Sequence, residues 1–126
     1  MKRWIGRWLM VVGTLHVPFS LVFHRAVWQD IANAGFLGTV AGQVLRGHAA
    51  WFLLFGPVLV LVGAALDALE KARLRPPPFL GVGMLLLTAF GLVLMPRSGF
   101  WLLLPPTLAL LAGALRAPLV TTTGHP

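Results

Sequence analysis

Four histidines are the main candidates for chemistry in this chain, and His16 is the most unusual of them. It lies inside the apolar stretch GTLHVPFSLVFHR, two residues before Pro18. An imidazole can donate, accept or bind a metal, and ionisable residues inside apolar spans are usually functional. We therefore predict a ligand site around His16. The alternative is a structural histidine that hydrogen-bonds Thr14, Ser20 or a backbone carbonyl and joins two helices.

The sequence offers little support for metal or nucleophilic chemistry. It has no cysteine, no HxxxH or HxxE motif and only three carboxylates. We predict no metal centre, although His24 and His48 are expected at one depth and could together hold an ion. Ser20 lies one helical turn from His16, but no carboxylate is near to orient the ring. We predict no cofactor, although a haem on His16 alone stays compatible with the sequence. His16 is the only candidate acid or base, and whether the chain is an enzyme stays open.

Composition places these residues in a membrane. The 126 residues are 58% hydrophobic and 10% charged, whereas soluble domains average about 45–50% and about 25%. Four apolar runs have lengths near the roughly 20 residues that cross a bilayer. They cover about 4–23, 49–69, 79–95 and 100–115. We predict an all-α fold, a four-helix transmembrane bundle in one domain at 1–117, followed by a cytoplasmic tail at 118–126.

The linker between the first two runs predicts a further helix. Val27, Trp28, Ile31 and Ala34 recur at helical spacing, with polar residues on the other side. This pattern is typical of an amphipathic helix lying in the membrane surface. We therefore expect a short interfacial helix between spans 1 and 2.

Basic residues predict the orientation of the chain. Seven of its ten basic residues fall at the amino-terminal end, in the second linker and in the tail, which places both termini in the cytoplasm. These seven are Lys2, Arg3, Arg7, Lys71, Arg73, Arg75 and Arg116. The abundance of arginine, alanine, glycine and proline suggests a bacterial source, and hence a multi-pass protein of the bacterial plasma membrane. Because the basic residues do not form one patch, we expect no nucleic-acid partner.

Prolines predict where a cavity opens. Pro18, Pro57 and the pair Pro105–Pro106 all fall in the outer half of the predicted bundle, where each should bend its helix. We expect an outward-opening vestibule with His16 near its floor, a cationic rim, and Asp30 to offset part of the rim's charge. The predicted ligand-binding residues are His16, Thr14, Ser20, His24, Arg46, His48 and Arg97.

Three segments carry a family resemblance: MKRWIGRWLMVVGTLH, WFLLFGPVLVLVG and, most specifically, LMPRSGFWLLLPP at Leu94–Pro106. Together they resemble a family of small four-span bacterial membrane proteins of unknown function, over roughly residues 1–115. His16 falls within the similar region. The resemblance implies the four-helix membrane fold and supplies no activity.

The sequence thus predicts a protein that binds a lipophilic or amphipathic small molecule, such as a lipid, quinone or isoprenoid, in an outer-half cavity around His16. The alternative is a non-catalytic accessory or assembly subunit of a larger membrane complex. The expected partners are the lipid bilayer, that small molecule, and further copies of this chain or other subunits.

Overall fold

The structure, a computed structural model, describes residues 4–116. In that range it has five α-helices and no strand, which confirms the predicted all-α class. The helices are α1 (Ile5–Phe23), α2 (Arg25–Asn33), α3 (Val44–Lys71), α4 (Pro78–Leu94) and α5 (Leu104–Leu115), and a 3-10 segment, Gly99–Leu103, precedes α5. The predicted tail at 118–126, and the basic residues Lys2 and Arg3, lie outside the described residues.

The chain divides into two compact units, residues 1–72 and residues 73–126. The first unit contains α1, α2 and α3, and the second contains α4, the 3-10 segment and α5. In the first unit α1 packs along α3, and α2 contacts both of them. The predicted interfacial helix corresponds to α2, whose Ile31 is buried.

Paired glycines bring α1 and α3 into direct backbone contact. Gly6 faces Gly63, and Gly13 faces Gly56, so the two helices run antiparallel. A β-carbon at Gly56 would lie 2.7 Å from the carbonyl oxygen of Gly13, closer than real β-carbons approach. Large side chains fill the space beside the glycines, with Leu9, Leu59 and Leu66 buried.

The prolines occupy two different kinds of position. Pro18 lies inside α1 and Pro57 inside α3, and both helices continue past them. Pro105 and Pro106, by contrast, stand in the first turn of α5, after the 3-10 segment. The expectation that this pair bends its helix in the outer half of the fourth span was wrong, because the two prolines stand where α5 begins. First-turn amides have no acceptor within the helix, so proline loses no hydrogen bond there.

The second unit is a helical hairpin held by small and polar contacts. A β-carbon at Gly91 would collide with the ring of Phe100, so this glycine admits the 3-10 segment. The hydroxyls of Thr88 and Thr107 lie 3.3 Å apart and are buried between α4 and α5. In the turn, the Trp101 indole donates to the carbonyl oxygen of Pro96 at 2.9 Å.

Within residues 4–116, two helices are long and apolar enough to cross a membrane by length and composition. They are α1, with 19 residues, and α3, with 28 residues. α4 and the stretch Gly99–Leu115 are shorter apolar helices. The predicted boundaries at 4–23 and 79–95 agree with α1 and α4 to within a residue, whereas α3 begins earlier than the predicted residue 49.

Candidate functional site

His16 packs against the aromatic face of α3. Its ring stacks on Phe52 with centroids 4.3 Å apart and planes at 20°. Phe55 packs against it in a T-shaped arrangement, with the ring centroids 5.7 Å apart. The imidazole is half-buried by these contacts. Aromatic packing of this kind fixes the orientation of the ring and shields one of its faces.

Three of the predicted histidines join one chain of ring contacts through Phe52. His24 lies 5.3 Å from Phe52 and 5.3 Å from His48, measured between ring centroids. His24 is the single residue between α1 and α2, and its backbone amide donates to the backbone carbonyl oxygen of Ser20 at the end of α1. His48 comes from the first turns of α3. We call His16, Phe52, His24 and His48 the histidine ladder.

The two hydroxyls predicted near His16 do not hydrogen-bond to it. The Thr14 hydroxyl donates to the carbonyl oxygen of Met10 at 2.7 Å, within its own helix. Ser20 is fully buried, and its hydroxyl has no hydrogen-bond partner among residues 4–116. The aromatic contacts, rather than a hydroxyl, therefore determine how His16 is held.

A separate apolar groove runs between α1 and α3 beside their prolines. It has a volume of about 590 Å³. Its lining residues are Gly13, Thr14, Val17, Pro18, Pro57, Val60 and Leu61. Thr14 is thus the one predicted site residue in the lining. His16 lies two residues further along α1, about 200° around the helix, so it points to another side.

The remaining predicted cations are placed differently in the two units. Arg46 donates to Asp30 at 2.8 Å and to the carbonyl oxygen of Thr39 at 2.8 Å. Asp30 therefore offsets a basic residue of the predicted rim, as expected. These two hydrogen bonds stabilise the loop between α2 and α3. In this loop Phe36 adopts a left-handed backbone conformation, with a φ of 59°. Arg97 belongs to the second unit and is exposed in the turn after α4.

Two acidic residues mark the opposite end of α3. Asp67 is buried and forms two ion pairs. Its Oδ2 lies 2.6 Å from Nζ of Lys71, the pair that helical spacing predicts, and its Oδ1 lies 3.6 Å from Nε of Arg7. Glu70 is only 5% exposed, and neither of its carboxylate oxygens has a hydrogen-bond partner in the described part of the chain. The two carboxylates, one turn apart on the same helix, thus have very different surroundings.

Sequence reasoning overlooked Phe52 and the paired glycines. Gly6 and Gly13, and likewise Gly56 and Gly63, are seven residues apart, which places each pair on one helix face. That spacing was a usable signal for close packing of α1 on α3. Phe52 could be found only by aligning the two helices, since nothing in its own neighbourhood distinguishes it from the other apolar residues.

The first unit combines an apolar surface with histidines that pack on aromatic rings. Within residues 4–116 no cluster of three or more potential metal ligands occurs. His16 has an aromatic neighbour on α3 where a catalytic histidine would need a carboxylate to orient it. What the first unit offers is an apolar groove on one side of the α1–α3 pair and a histidine ladder on another.

The fold and the site define an all-α protein with two helices that qualify as membrane spans and an apolar groove between them. The chain belongs to the family of unknown function DUF6463, whose sequence model matches residues 1–117. No curated protein matches it. No solved structure matches it either.

Proposed function

We propose that this chain is an integral membrane protein of the bacterial plasma membrane that binds a lipophilic or amphipathic small molecule in the groove between α1 and α3. Membrane insertion is supported by the surfaces of the long helices. Only 33% of the apolar window of α1 and 28% of that of α3 is buried within the protein. The core helix of a soluble protein would be mostly buried, because exposed apolar area is unfavourable in water.

The side chains that face outward support the same proposal. α1 exposes Val22 and Phe23 at 75% and 72%, and α3 exposes Leu61 at 70%. In the second unit, Phe90 and Val93 are similarly exposed. Acyl chains would cover such surfaces without cost. We therefore keep the four-span arrangement, with α4 and Gly99–Leu115 as short spans and both termini in the cytoplasm.

The groove beside the prolines is the observation that carries the ligand proposal. Its volume lies within the range of about 300–1,000 Å³ typical of small-molecule sites. Its lining is aliphatic, and the one hydroxyl there, that of Thr14, is already bonded to Met10. An alkyl or isoprenoid chain matches such a surface better than a polar metabolite does.

Polar groups for a headgroup lie toward the outer end of the same helices. Pro18 is six residues before His24, which corresponds to roughly 9 Å along a helix. A chain of moderate length in the groove would therefore bring its polar end close to the level of His24 and Arg46. Lipids, quinones and isoprenoids all share this chemistry of an apolar chain and a polar end.

Filling the groove tests the proposal. Val60 lines the groove, whereas Val58, on the same helix, is 50% exposed and lies outside the lining. Val60→Trp should lower the affinity for pyrene-labelled palmitic acid at least tenfold in mild detergent, and Val58→Trp should leave it unchanged. Mass spectrometry of an organic extract should also detect less copurified lipophile with Val60→Trp.

Equal affinity of the two tryptophan variants, or no binding by the unmodified chain, would overturn the ligand proposal. Native mass spectrometry of the same preparation addresses the alternative function. A protein that copurifies at fixed stoichiometry in place of a lipophile would support an accessory or assembly subunit.

A further inference from the structure

We propose that His24 and His48 form a two-histidine site for a transition metal ion of the Zn²⁺ or Cu²⁺ type, at the end of the α1–α3 pair where α2 begins. His24 stands between α1 and α2, whereas His48 belongs to α3, and the sequence separates them by the whole of α2 and its loop. A site of this kind would couple the position of the α1–α2 junction to the start of α3. It is distinct from the apolar groove.

The distance and angle between the rings fit a shared metal. Two imidazoles bound to one tetrahedral zinc at about 2.0–2.1 Å hold their ring centroids about 5 Å apart. The centroids of His24 and His48 lie 5.3 Å apart, with the planes tilted by 59°. In two parallel stacked rings, the nitrogen lone pairs point in parallel planes and do not meet. A tilt between the planes allows one lone pair from each ring to point at the same ion.

The surroundings leave the imidazole of His24 available. Its Nδ1 is buried and has no hydrogen-bond partner among residues 4–116. No protein group in that range therefore competes with a metal for this nitrogen. A buried polar atom without a partner is unfavourable, because it has lost its hydrogen bonds to water. Coordination through Nδ1 would give this buried nitrogen the partner that it lacks among the described residues.

Nearby charges and ligands set the class of metal. Arg46, the basic residue two positions before His48, is paired with Asp30, so its repulsion of a cation is reduced. Imidazole nitrogens prefer Zn²⁺, Cu²⁺ and Ni²⁺ over the hard ions Mg²⁺ and Ca²⁺. With two protein ligands, the other coordination positions are left to water or to an anionic ligand atom. His48 is exposed, so solvent reaches this side of the site.

His16 provides a matched control because it belongs to the same ladder without sharing the site. It contacts the ladder through Phe52, and it lies eight residues before His24, roughly 12 Å away along the helix. Replacing it removes one histidine and leaves the His24–His48 pair. His125 falls in the part of the chain that the structure does not describe, and His125→Ala serves as a second control.

The experiment is titration of the tag-free full chain in detergent with ZnCl₂, followed by calorimetry. We expect one Zn²⁺ per chain, with affinity reduced at least tenfold in His24→Ala and in His48→Ala. His16→Ala and His125→Ala should bind as the unmodified chain does. Co²⁺ should give a visible d–d absorption that the same two variants lose, while MgCl₂ gives no heat.

Two results would overturn the proposal. One is the absence of Zn²⁺ binding at millimolar concentration. The other is binding that survives in both His24→Ala and His48→Ala. Far-UV circular dichroism of each variant separates loss of the site from loss of the fold, and His24→Gln serves where the alanine variant unfolds. Since the fatty-acid probe tests the groove independently, failure of one proposal leaves the other measurable.

Discussion

At the scale of single residues, the contrast between Asp67 and Glu70 is the clearest case of like side chains in unlike surroundings. Both are buried near the end of α3, but Asp67 has Lys71 and Arg7 as ion-pair partners. Glu70 has no ion pair within the described residues, and it stands in the last turn of a helix, where the dipole disfavours negative charge. A buried unpaired carboxylate destabilises the fold.

This difference predicts opposite effects of removing each charge. Glu70→Gln should raise the free energy of unfolding by about 1 kcal/mol, because it keeps the shape and removes a buried charge that no ion pair within residues 4–116 compensates. Asp67→Asn should lower it by about 1 kcal/mol, a small loss because Lys71 and Arg7 are exposed and screened.

Thermal unfolding in one detergent, followed by circular dichroism, measures both changes. Because the two carboxylates lie one helical turn apart, each variant serves as the other's control for the altered net charge. A lower melting temperature for Glu70→Gln would contradict the prediction and show that the carboxylate makes a stabilising contact.

At the scale of helices, the paired glycines determine how α1 and α3 meet. A β-carbon at Gly63 would lie 2.6 Å from the carbonyl oxygen of Gly6 and 2.8 Å from the amide of Met10. Both atoms are backbone and cannot move without shifting a helix. Because the same face holds Gly13 and Gly56, the register of the two helices also decides which residues line the groove and which build the histidine ladder.

We therefore expect Gly63→Ala to separate the helices and to lower the free energy of unfolding by about 1–3 kcal/mol, as overpacking does. Gly47 is the matched control, since it lies in the same helix and has open space around its α-carbon. Gly47→Ala should be neutral or stabilising by roughly 0.5–1 kcal/mol, because alanine restricts the unfolded chain and favours helix.

Thermal melts of the two alanine variants, with the fatty-acid probe as a second readout, check this prediction. Equal melting temperatures for Gly63→Ala and Gly47→Ala would mean that α1 and α3 are not held by glycine contact. Loss of probe affinity in Gly63→Ala alone would agree with a groove formed by the close approach of the helices.

The sequence predicts where each helix begins and ends better than it predicts which residues of different helices are in contact. Hydropathy and proline positions fix the ends of α1 and α4, and helical spacing alone finds the pair Asp67–Lys71. These features depend on residues close in the chain. The stack of His16 on Phe52 depends on the register between two helices, which no local pattern encodes. Pro105 was misassigned because a 3-10 segment and an α-helix have similar apolar composition.

At the scale of the whole molecule, the proposed membrane insertion allows two arrangements, one with four spans and one with two. α1 and α3 are long enough, and α4 and Gly99–Leu115 have lengths near the lower limit of about 17 residues. If all four cross, the α2 region and the turn at Arg97 lie outside, and the linker at Ala72 lies in the cytoplasm. If only α1 and α3 cross, Arg97 lies on the same side as Ala72.

Cysteine labelling distinguishes these arrangements, because the chain contains no cysteine of its own. Asn33→Cys and Arg97→Cys should react with a membrane-impermeant maleimide on intact cells, whereas Ala72→Cys should react only after permeabilisation. All three positions are exposed, so differences in reactivity report sidedness rather than burial. Labelling of Arg97→Cys only after permeabilisation would reduce the protein to two spans, with α4 and α5 on the inner side. Because His24 and His48 lie at the α2 end of the first unit, labelling of Asn33→Cys from outside would also place the proposed metal site on the outer face.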